Sequence, residues 1–165
     1  MKKLVTVFIL TMAIAVLGIA DVVRLAPDFS WQGAGSKLST LRSLRGQPVV
    51  LLVSKSAHER TFRKQASRLK EIYQEFASRN VVFVAAFVDE EGVVPSDVPF
   101  VIANNGAKIA ADYQVQGAFS VIVIGTDGNV DMQTTQVVPA SRIKDVIVNA
   151  FPVQSEERGR KKFGP

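Results

Sequence analysis

The turn within residues 51–63, LLVSKSAHERTFR, contains the side chains of this sequence that could perform catalysis. Ser54 and Ser56 offer hydroxyl groups as nucleophiles, His58 offers a base, and Glu59 offers a carboxylate that could orient the base. Residues so close in sequence rarely reach the geometry of a catalytic triad, which is normally built from separate loops, and the glycine–serine elbow of hydrolases is absent. We therefore expect no catalytic residue in this turn, with a cysteine-free enzyme as an alternative.

The composition excludes several kinds of site. The 165 residues contain no cysteine and one histidine. Disulfides, thiolate nucleophiles and cysteine-ligated zinc are therefore excluded, as is a metal site built mainly from imidazoles. No acidic cluster has the spacing of a calcium-binding loop. The sequence predicts no metal and no cofactor.

The formal charge of +5 does not by itself indicate a nucleic-acid-binding protein. Part of the positive charge lies at the two ends of the chain, and the central part lacks a stripe in which aromatic and basic residues are combined. We expect no nucleic-acid partner. A content of 47% apolar and 21% charged residues is typical of a globular domain.

The two ends of the chain differ from its central part. Met1 is followed by two lysines and by an uncharged apolar run that ends in small residues. This pattern predicts a signal peptide over residues 1–20, with an N-terminal membrane anchor as the alternative. We therefore expect an exported protein, either periplasmic or secreted, or else anchored to a membrane and facing outside the cytoplasm. Residues 21–152 then form one domain, and residues 153–165 form a basic, disordered tail.

The first half of this domain has the pattern of a β-α-β unit. A continuous apolar run predicts a buried strand over residues 48–54, and a second such run begins at residue 80. Between them, apolar residues at three- and four-residue steps predict an amphipathic helix over about 58–79. An additional hairpin or strand is expected within residues 22–40.

The second half of the domain has the pattern β-β-α after a connecting segment. The pattern predicts a short strand at residues 100–103, a turn at the Asn-Asn-Gly sequence that follows, and a helix over 107–113. Asp127 and Gly128 predict a tight hairpin in which both turn residues have positive φ. Ser141 is expected to cap the N-terminus of the last helix, whose apolar face contains Ile143 and Ile147.

Three segments resemble the thioredoxin superfamily, in the same order along the chain. They read APDFSWQGAGSKLSTLRSLRGQPVVLLV, LKEIYQEFASRNVVFVAAFVDE and PFVIANNGAKIAADYQVQGAFSVIVIGTDGNV. The resemblance is strongest to the branch that contains exported thiol–disulfide oxidoreductases and the redoxins, that is, the alkyl hydroperoxide reductase and thiol-specific antioxidant proteins. It covers about residues 26–150 and implies an α/β, thioredoxin-like fold: a central mixed β-sheet flanked by helices on both faces. The segment of residues 89–99 is shorter than the corresponding segment of the family, so the connecting helix of the family is expected to be missing.

The same resemblance locates a degenerate active-site loop. The Cys-x-x-Cys motif of the family falls on residues 59–62, and its cis-proline falls on Phe119, next to Ser120. Both features of thiol chemistry are therefore missing, and we expect a trans peptide bond between Ala118 and Phe119. The loop offers a candidate binding surface that comprises Ser54, Lys55, Ser56, His58, Glu59, Arg60, Thr61 and Phe62.

Structural roles account for several of these residues. Ser56 is expected to cap the helix by accepting hydrogen bonds from backbone N–H groups one turn in, and Glu59 is expected in the first turn, where the helix dipole favours a negative charge. Phe62 begins the apolar stripe and is expected in the core. Phe119 has two interpretations: it fills the groove that substrates use in active relatives, or it is an exposed aromatic anchor for a partner.

Three basic residues surround the expected helix start. His58 and Arg60 are expected to be exposed there, with Lys55 nearby. Because helix N-termini attract anions, this arrangement suggests weak binding of an acidic group such as a carboxylate.

Three functions are compatible with the sequence. The first is a non-catalytic, exported binding or scaffold domain whose partner is another exported protein or a peptide. The second is an enzyme of the thiol oxidoreductase or peroxidase class that the resemblance implies. The third is an enzyme with different chemistry, which would require an enclosed polar pocket near His58.

Overall fold

The structure, a computed structural model, describes residues 24–77, 79–89 and 93–149. The expected signal peptide or anchor and the expected tail lie outside these residues. The strands are β1 Ser30–Gln32, β2 Leu38–Thr40, β3 Val49–Ser54, β4 Val82–Phe87, β5 Phe100–Ile102, β6 Phe119–Ile124 and β7 Val130–Thr134. The α-helices are α1 Arg60–Ala77, α2 Gly106–Asp112 and α3, residues 140–149, and short 3-10 turns lie at Ala34–Ser36 and Leu41–Leu44. No helix in this described part is long and apolar enough to cross a membrane.

A mixed sheet of β-strands forms the centre of the domain, in the order β5-β4-β3-β6-β7. Strands β3, β4 and β5 are parallel, whereas β6 is antiparallel to β3 and β7 is antiparallel to β6. Helices α1 and α3 pack on one face, and α2 packs on the other together with the β1–β2 hairpin. The α/β architecture, with helices on both faces, is the expected one, and the hairpin confirms the element predicted within residues 22–40.

Strand β3 lies in the middle of the sheet, and every side chain along it is apolar except the last. All six residues are buried, since Val50 and Leu52 face the side of α1 while Val49, Leu51 and Val53 face the side of α2. A strand buried on both faces requires this continuous apolar run rather than an alternating pattern.

Helix α1 covers one face of the sheet with the predicted stripe. Phe62, Ala66, Leu69 and Phe76 recur at three- to seven-residue steps and are at most 5% exposed. Burial of each large apolar side chain contributes roughly 1.5–3 kcal/mol. This burial fixes α1 on β3 and β4, and with it the turn that leads into the helix.

Helix α2 begins where the backbone approaches β4 very closely. Asn105 has φ 56°, and its side-chain oxygen accepts a hydrogen bond from the Lys108 backbone N–H at 3.2 Å. A Cβ placed on Gly106 would lie 2.0 Å from the carbonyl oxygen of Phe87. Only glycine fits at this position, which explains the Asn-Asn-Gly sequence before the helix.

Two predicted boundaries and one turn are wrong in detail. Helix α1 begins at Arg60 rather than near His58. Ser141 lies inside α3, and the N–H groups of Arg142 and Ile143 donate to the carbonyl of Pro139, so Pro139 rather than this serine is the N-cap. The β6–β7 connection has a single residue at positive φ, Gly128 at 86°, because it is a three-residue turn rather than a two-residue one.

Candidate functional site

The turn between β3 and α1 lies against the segment before β6, as the expected site requires. The backbone N–H of Lys55 donates to the carbonyl of Ala118 at 3.3 Å, and Ser54 lies directly opposite Phe119 in the β3–β6 pair. On the other side, the N–H of Asp89 donates to the carbonyl of Lys55 at 3.0 Å. Backbone hydrogen bonds to the residues that adjoin β4 and β6 therefore hold this turn.

The hydrogen bonds within the turn differ from the expected helix cap. Ser56 Oγ accepts from the N–H of His58 at 3.2 Å, two residues on, instead of reaching one turn into the helix. The carbonyl of Glu59 accepts from the N–H of Arg63 at 3.0 Å, which starts α1. Glu59 thus directly precedes the helix, and Ser56 stabilises the preceding turn because a serine hydroxyl reaches its own local backbone more easily.

Aromatic side chains stand at two positions of the resembled site, Phe62 at the second cysteine and Phe119 at the cis-proline. Phe62 is 1% exposed and packs against Phe87, with ring centroids 5.1 Å apart, and against Phe100 at 5.9 Å. Phe119 is 5% exposed and belongs to the same core cluster. The prediction that Phe62 is a core residue is confirmed, and the interpretation of Phe119 as an exposed anchor is wrong. No peptide bond of the described residues is cis.

The serines at the paired ends of β3 and β6 are buried. Ser54 Oγ is buried and has no hydrogen-bond partner within the described residues. Ser120 is also buried, and its hydroxyl donates to the carbonyl of Thr134 at 3.1 Å. Thr61 is partly buried in the first turn of α1. Neither serine is arranged as an activated nucleophile.

The charged residues of the turn remain at the surface. Lys55, His58 and Arg60 are exposed, as expected. In the described part, the His58 imidazole makes no hydrogen bond to Ser54, Ser56 or Glu59, so no serine–histidine–carboxylate set forms. No group of three His, Asp or Glu side chains among the described residues could hold a metal ion.

Sequence analysis missed a groove beside α1, which we call the α1 groove. It has a volume of about 240 Å³ and lies between the helix residues Phe62 and Ala66 and the extended segment at Val94 and Pro95. Residues 93–99 contain no helix, as the short connection predicted. At the rim, Lys70 forms an ion pair with Asp97, and this ammonium group holds the pKa of the carboxyl below its ordinary value. The groove depends on where this segment packs, which no local pattern indicates.

A buried glutamine in α1 was also missed. Gln65 is fully buried and accepts from the N–H of Val138 at 2.7 Å while donating to the Val138 carbonyl at 3.2 Å. These two bonds join α1 to the segment before α3. Its position three residues after Phe62, on the apolar stripe, is a signal that could have indicated burial.

The sequence matches a protein family over most of its length. A family model described as "Domain of unknown function (DUF4174)" matches residues 40–157. The sequence has no significant match among proteins with curated descriptions.

Solved structures with a similar fold are thiol–disulfide oxidoreductases and peroxiredoxins. One is a Chlorobium tepidum protein assigned as the thiol:disulfide interchange protein DsbE, with a TM-score of 0.64 and 19% identity, covering 78% of this chain and 96% of that one. The thioredoxin domain of a Bacteroides vulgatus thiol-disulfide oxidoreductase matches with a TM-score of 0.61 and 13% identity, covering 74% of this chain and 95% of that one. The peroxidoxin BcpB of Mycobacterium tuberculosis matches with a TM-score of 0.58 and 17% identity, covering 79% of this chain and 96% of that one. The fold is therefore thioredoxin-like, on a chain that contains no cysteine.

Proposed function

Because the chain belongs to the DUF4174 family and has a thioredoxin-like fold without cysteine, we propose that it is an exported, non-catalytic domain that binds another protein or a peptide. The observation that carries this proposal is the burial of Phe62 and Phe119, which stand at the positions of the second cysteine and the cis-proline of the resembled family. Glu59 stands at the position of the first cysteine, so neither residue of the motif carries sulfur.

The chemistry of the related proteins cannot proceed without sulfur. Disulfide exchange begins with attack by a thiolate, and hydroperoxide reduction in redoxins passes through a cysteine sulfenate. This sequence provides neither group. The similarity of this chain to the thiol oxidoreductase and peroxidase class would then reflect common ancestry and not a shared activity.

A cysteine-free enzyme is the weaker candidate. It would need a nucleophile beside a base, and Ser54 is buried while the imidazole of His58 is exposed and not bonded to it. Activation of a serine hydroxyl requires a direct hydrogen bond to the base. The arrangement of the described residues therefore favours binding over hydrolysis.

Turnover assays on the purified full chain test the absence of catalysis. Reduction of insulin by dithiothreitol, consumption of hydrogen peroxide with a thiol reductant, and hydrolysis of a p-nitrophenyl ester are measured beside a cysteine-containing thiol–disulfide oxidoreductase as a positive control. We expect background rates in all three assays. A rate that rises in proportion to the concentration of this protein contradicts the proposal.

Export is tested separately by cell fractionation. The leader at residues 1–20 supports it, because a positive start followed by an uncharged apolar run is typical of secretory signals. We expect the full chain outside the cytoplasm and a chain without residues 1–20 inside it. Equal distribution of the two chains contradicts export.

A further inference from the structure

The outer face of the first half of α1 carries positive charge only. Residues 60–70 contain no acidic residue and five basic ones, which are Arg60, Arg63, Lys64, Arg68 and Lys70. The remaining turns of the helix carry Glu71 and Glu75 and no basic residue. The helix is therefore basic at its N-terminal half and acidic at its C-terminal half.

This distribution opposes the stability of the helix itself. The positive end of the helix dipole lies at the N-terminus, where cations are unfavourable by about 0.3–1 kcal/mol each. Arg60 and Lys64, and likewise Lys64 and Arg68, are like charges four residues apart, and such pairs cost about 0.2–0.5 kcal/mol each. Local stability does not explain the pattern, so an interaction outside the helix is the simpler reason for it.

Most of these cations have no partner in the described part of the chain. Lys70 is paired with Asp97, but Arg60, Arg63, Lys64 and Arg68 have neither an ion pair nor a side-chain hydrogen bond to any described residue. Arg60, Arg63 and Lys64 are also exposed. These groups are available for an external anion.

The α1 groove adds an apolar element beside these charges. Ala57, Phe62 and Ala66 line it from one side, while Arg63 and the ion pair of Lys70 with Asp97 lie at its rim. A volume of about 240 Å³ is close to the lower end of ordinary ligand sites and suits one or two aliphatic side chains. Charge and shape together describe a ligand that is acidic and carries hydrophobic side chains.

We propose that the first half of α1, together with the α1 groove, docks an acidic polypeptide segment whose hydrophobic side chain enters the groove. This inference rests on the proposed binding function and names the chemistry of the partner. Carboxylates of the segment pair with Arg60, Arg63, Lys64 and Arg68.

Other anionic partners fit this surface less well. A membrane-binding helix inserts exposed apolar side chains between lipids, whereas the apolar stripe of α1 is buried in the core. Single-stranded nucleic acid stacks on exposed aromatic rings, and the Phe62 ring next to the groove is buried. A peptide needs neither feature, because carboxylates and one apolar side chain are sufficient.

The test uses fluorescence anisotropy with the full chain and a fluorescein-labelled peptide composed of glutamate and leucine. A glutamate–serine peptide of equal charge tests the groove, and phosphatidylglycerol vesicles and a single-stranded RNA test the other anionic surfaces. The variant Arg63→Glu/Lys64→Glu reverses two of the positive charges, and the control Lys37→Glu/Arg45→Glu makes the same change in net charge away from α1.

We expect the glutamate–leucine peptide to bind more tightly than the other probes. The α1 double variant should weaken this binding at least about tenfold, and the control variant should change it less than about twofold. The α1 variant should also melt at an equal or higher temperature, because its new glutamates form opposite-charge pairs with Arg60 and Arg68.

Absence of peptide binding at low salt, equal loss in the two variants, or tighter binding of RNA or vesicles overturns the inference. A folding defect cannot account for lost binding, since the α1 variant is required to keep its melting temperature. These outcomes are independent of the turnover assays: the docking surface fails on peptide binding, and the non-catalytic function fails on turnover.

Discussion

The ring of Phe62 meets the ring of Phe87 edge-on, with centroids 5.1 Å apart and planes inclined by 68°. This pair joins the first turn of α1 to the end of β4. An edge-to-face aromatic pair adds about 0.5–1.5 kcal/mol beyond the burial of its area. The position of the second cysteine in the resembled family is therefore part of the packing that stabilises this domain.

Replacement of Phe62 by alanine is predicted to be strongly destabilising. The change leaves a cavity next to Phe87 and Phe100, and such losses cost about 3–5 kcal/mol. Urea denaturation followed by circular dichroism measures the free energy of unfolding. The exposed neighbour Arg63→Ala is the control and should change that free energy by less than about 0.5 kcal/mol. A small effect of Phe62→Ala would show that the ring is not packed as described.

Two buried serines are predicted to respond in opposite ways to the same substitution. Ser54→Ala should leave the free energy of unfolding unchanged or raise it by up to about 1 kcal/mol, because its hydroxyl is buried without a partner among the described residues. Ser120→Ala should lower it by about 1–2 kcal/mol, because the carbonyl of Thr134 loses its donor. Urea denaturation of both variants gives the comparison. A larger loss for Ser54→Ala than for Ser120→Ala contradicts the assignment of these hydrogen bonds.

Gly106 is predicted to tolerate no side chain. In Gly106→Ala the new Cβ would lie 2.0 Å from the carbonyl oxygen of Phe87, and backbone atoms cannot move aside as a flexible side chain does. We expect a loss of at least about 2–3 kcal/mol in unfolding free energy. Gly117→Ala is the control: it has open space and φ 81°, so only the backbone cost of about 1–2 kcal/mol applies. Equal effects of the two substitutions would contradict the close approach of α2 to β4.

Asp131 is predicted to make stability depend on pH. Partial burial, with a contribution from the nearby Asp127, raises the pKa of Asp131 from 3.8 to about 6. The folded state therefore holds this proton more strongly than the unfolded state does. The contribution of the protonated Asp131 carboxyl to the free energy of unfolding is complete below about pH 4. It is lost as the pH rises through 6.

The variant Asp131→Asn isolates this effect. Urea denaturation at pH 4 and at pH 7 should show equal stability of the two proteins at the lower pH and a more stable variant at the higher pH. The difference should be below about 1 kcal/mol, because the side chain is still exposed to solvent. The same difference at both pH values would show that the carboxyl of Asp131 does not titrate in this range.

Sequence patterns predicted the elements whose signal is a long run of apolar residues. Strand β3 is recognisable because both of its faces are buried, and α1 is recognisable because Phe62, Leu69 and Phe76 repeat with the helical period. The start of α1 was misplaced because several polar residues compete for the same backbone N–H groups. Ser56 bonds locally to His58, and Glu59 precedes the helix.

The surroundings of the candidate site were less predictable because they depend on tertiary contacts. Phe119 follows no periodic pattern that distinguishes a buried ring from an exposed one, and its burial results from pairing with β3. The α1 groove and the approach of Gly106 to Phe87 involve segments far apart in sequence. Local propensity carries no information about such contacts.

The central claim, that buried aromatic rings occupy the positions of the second cysteine and the cis-proline, is tested most directly by solvent paramagnetic relaxation. A soluble gadolinium chelate is added to the protein, and the relaxation of side-chain protons is measured by NMR. The account predicts that the rings of Phe62 and Phe119 relax as slowly as that of Phe76, which is 0% exposed, and far more slowly than the methyl groups of Val93, which is 89% exposed. Ring protons of Phe62 or Phe119 that relax as fast as those of Val93 would contradict it, because the rings would then be exposed to solvent.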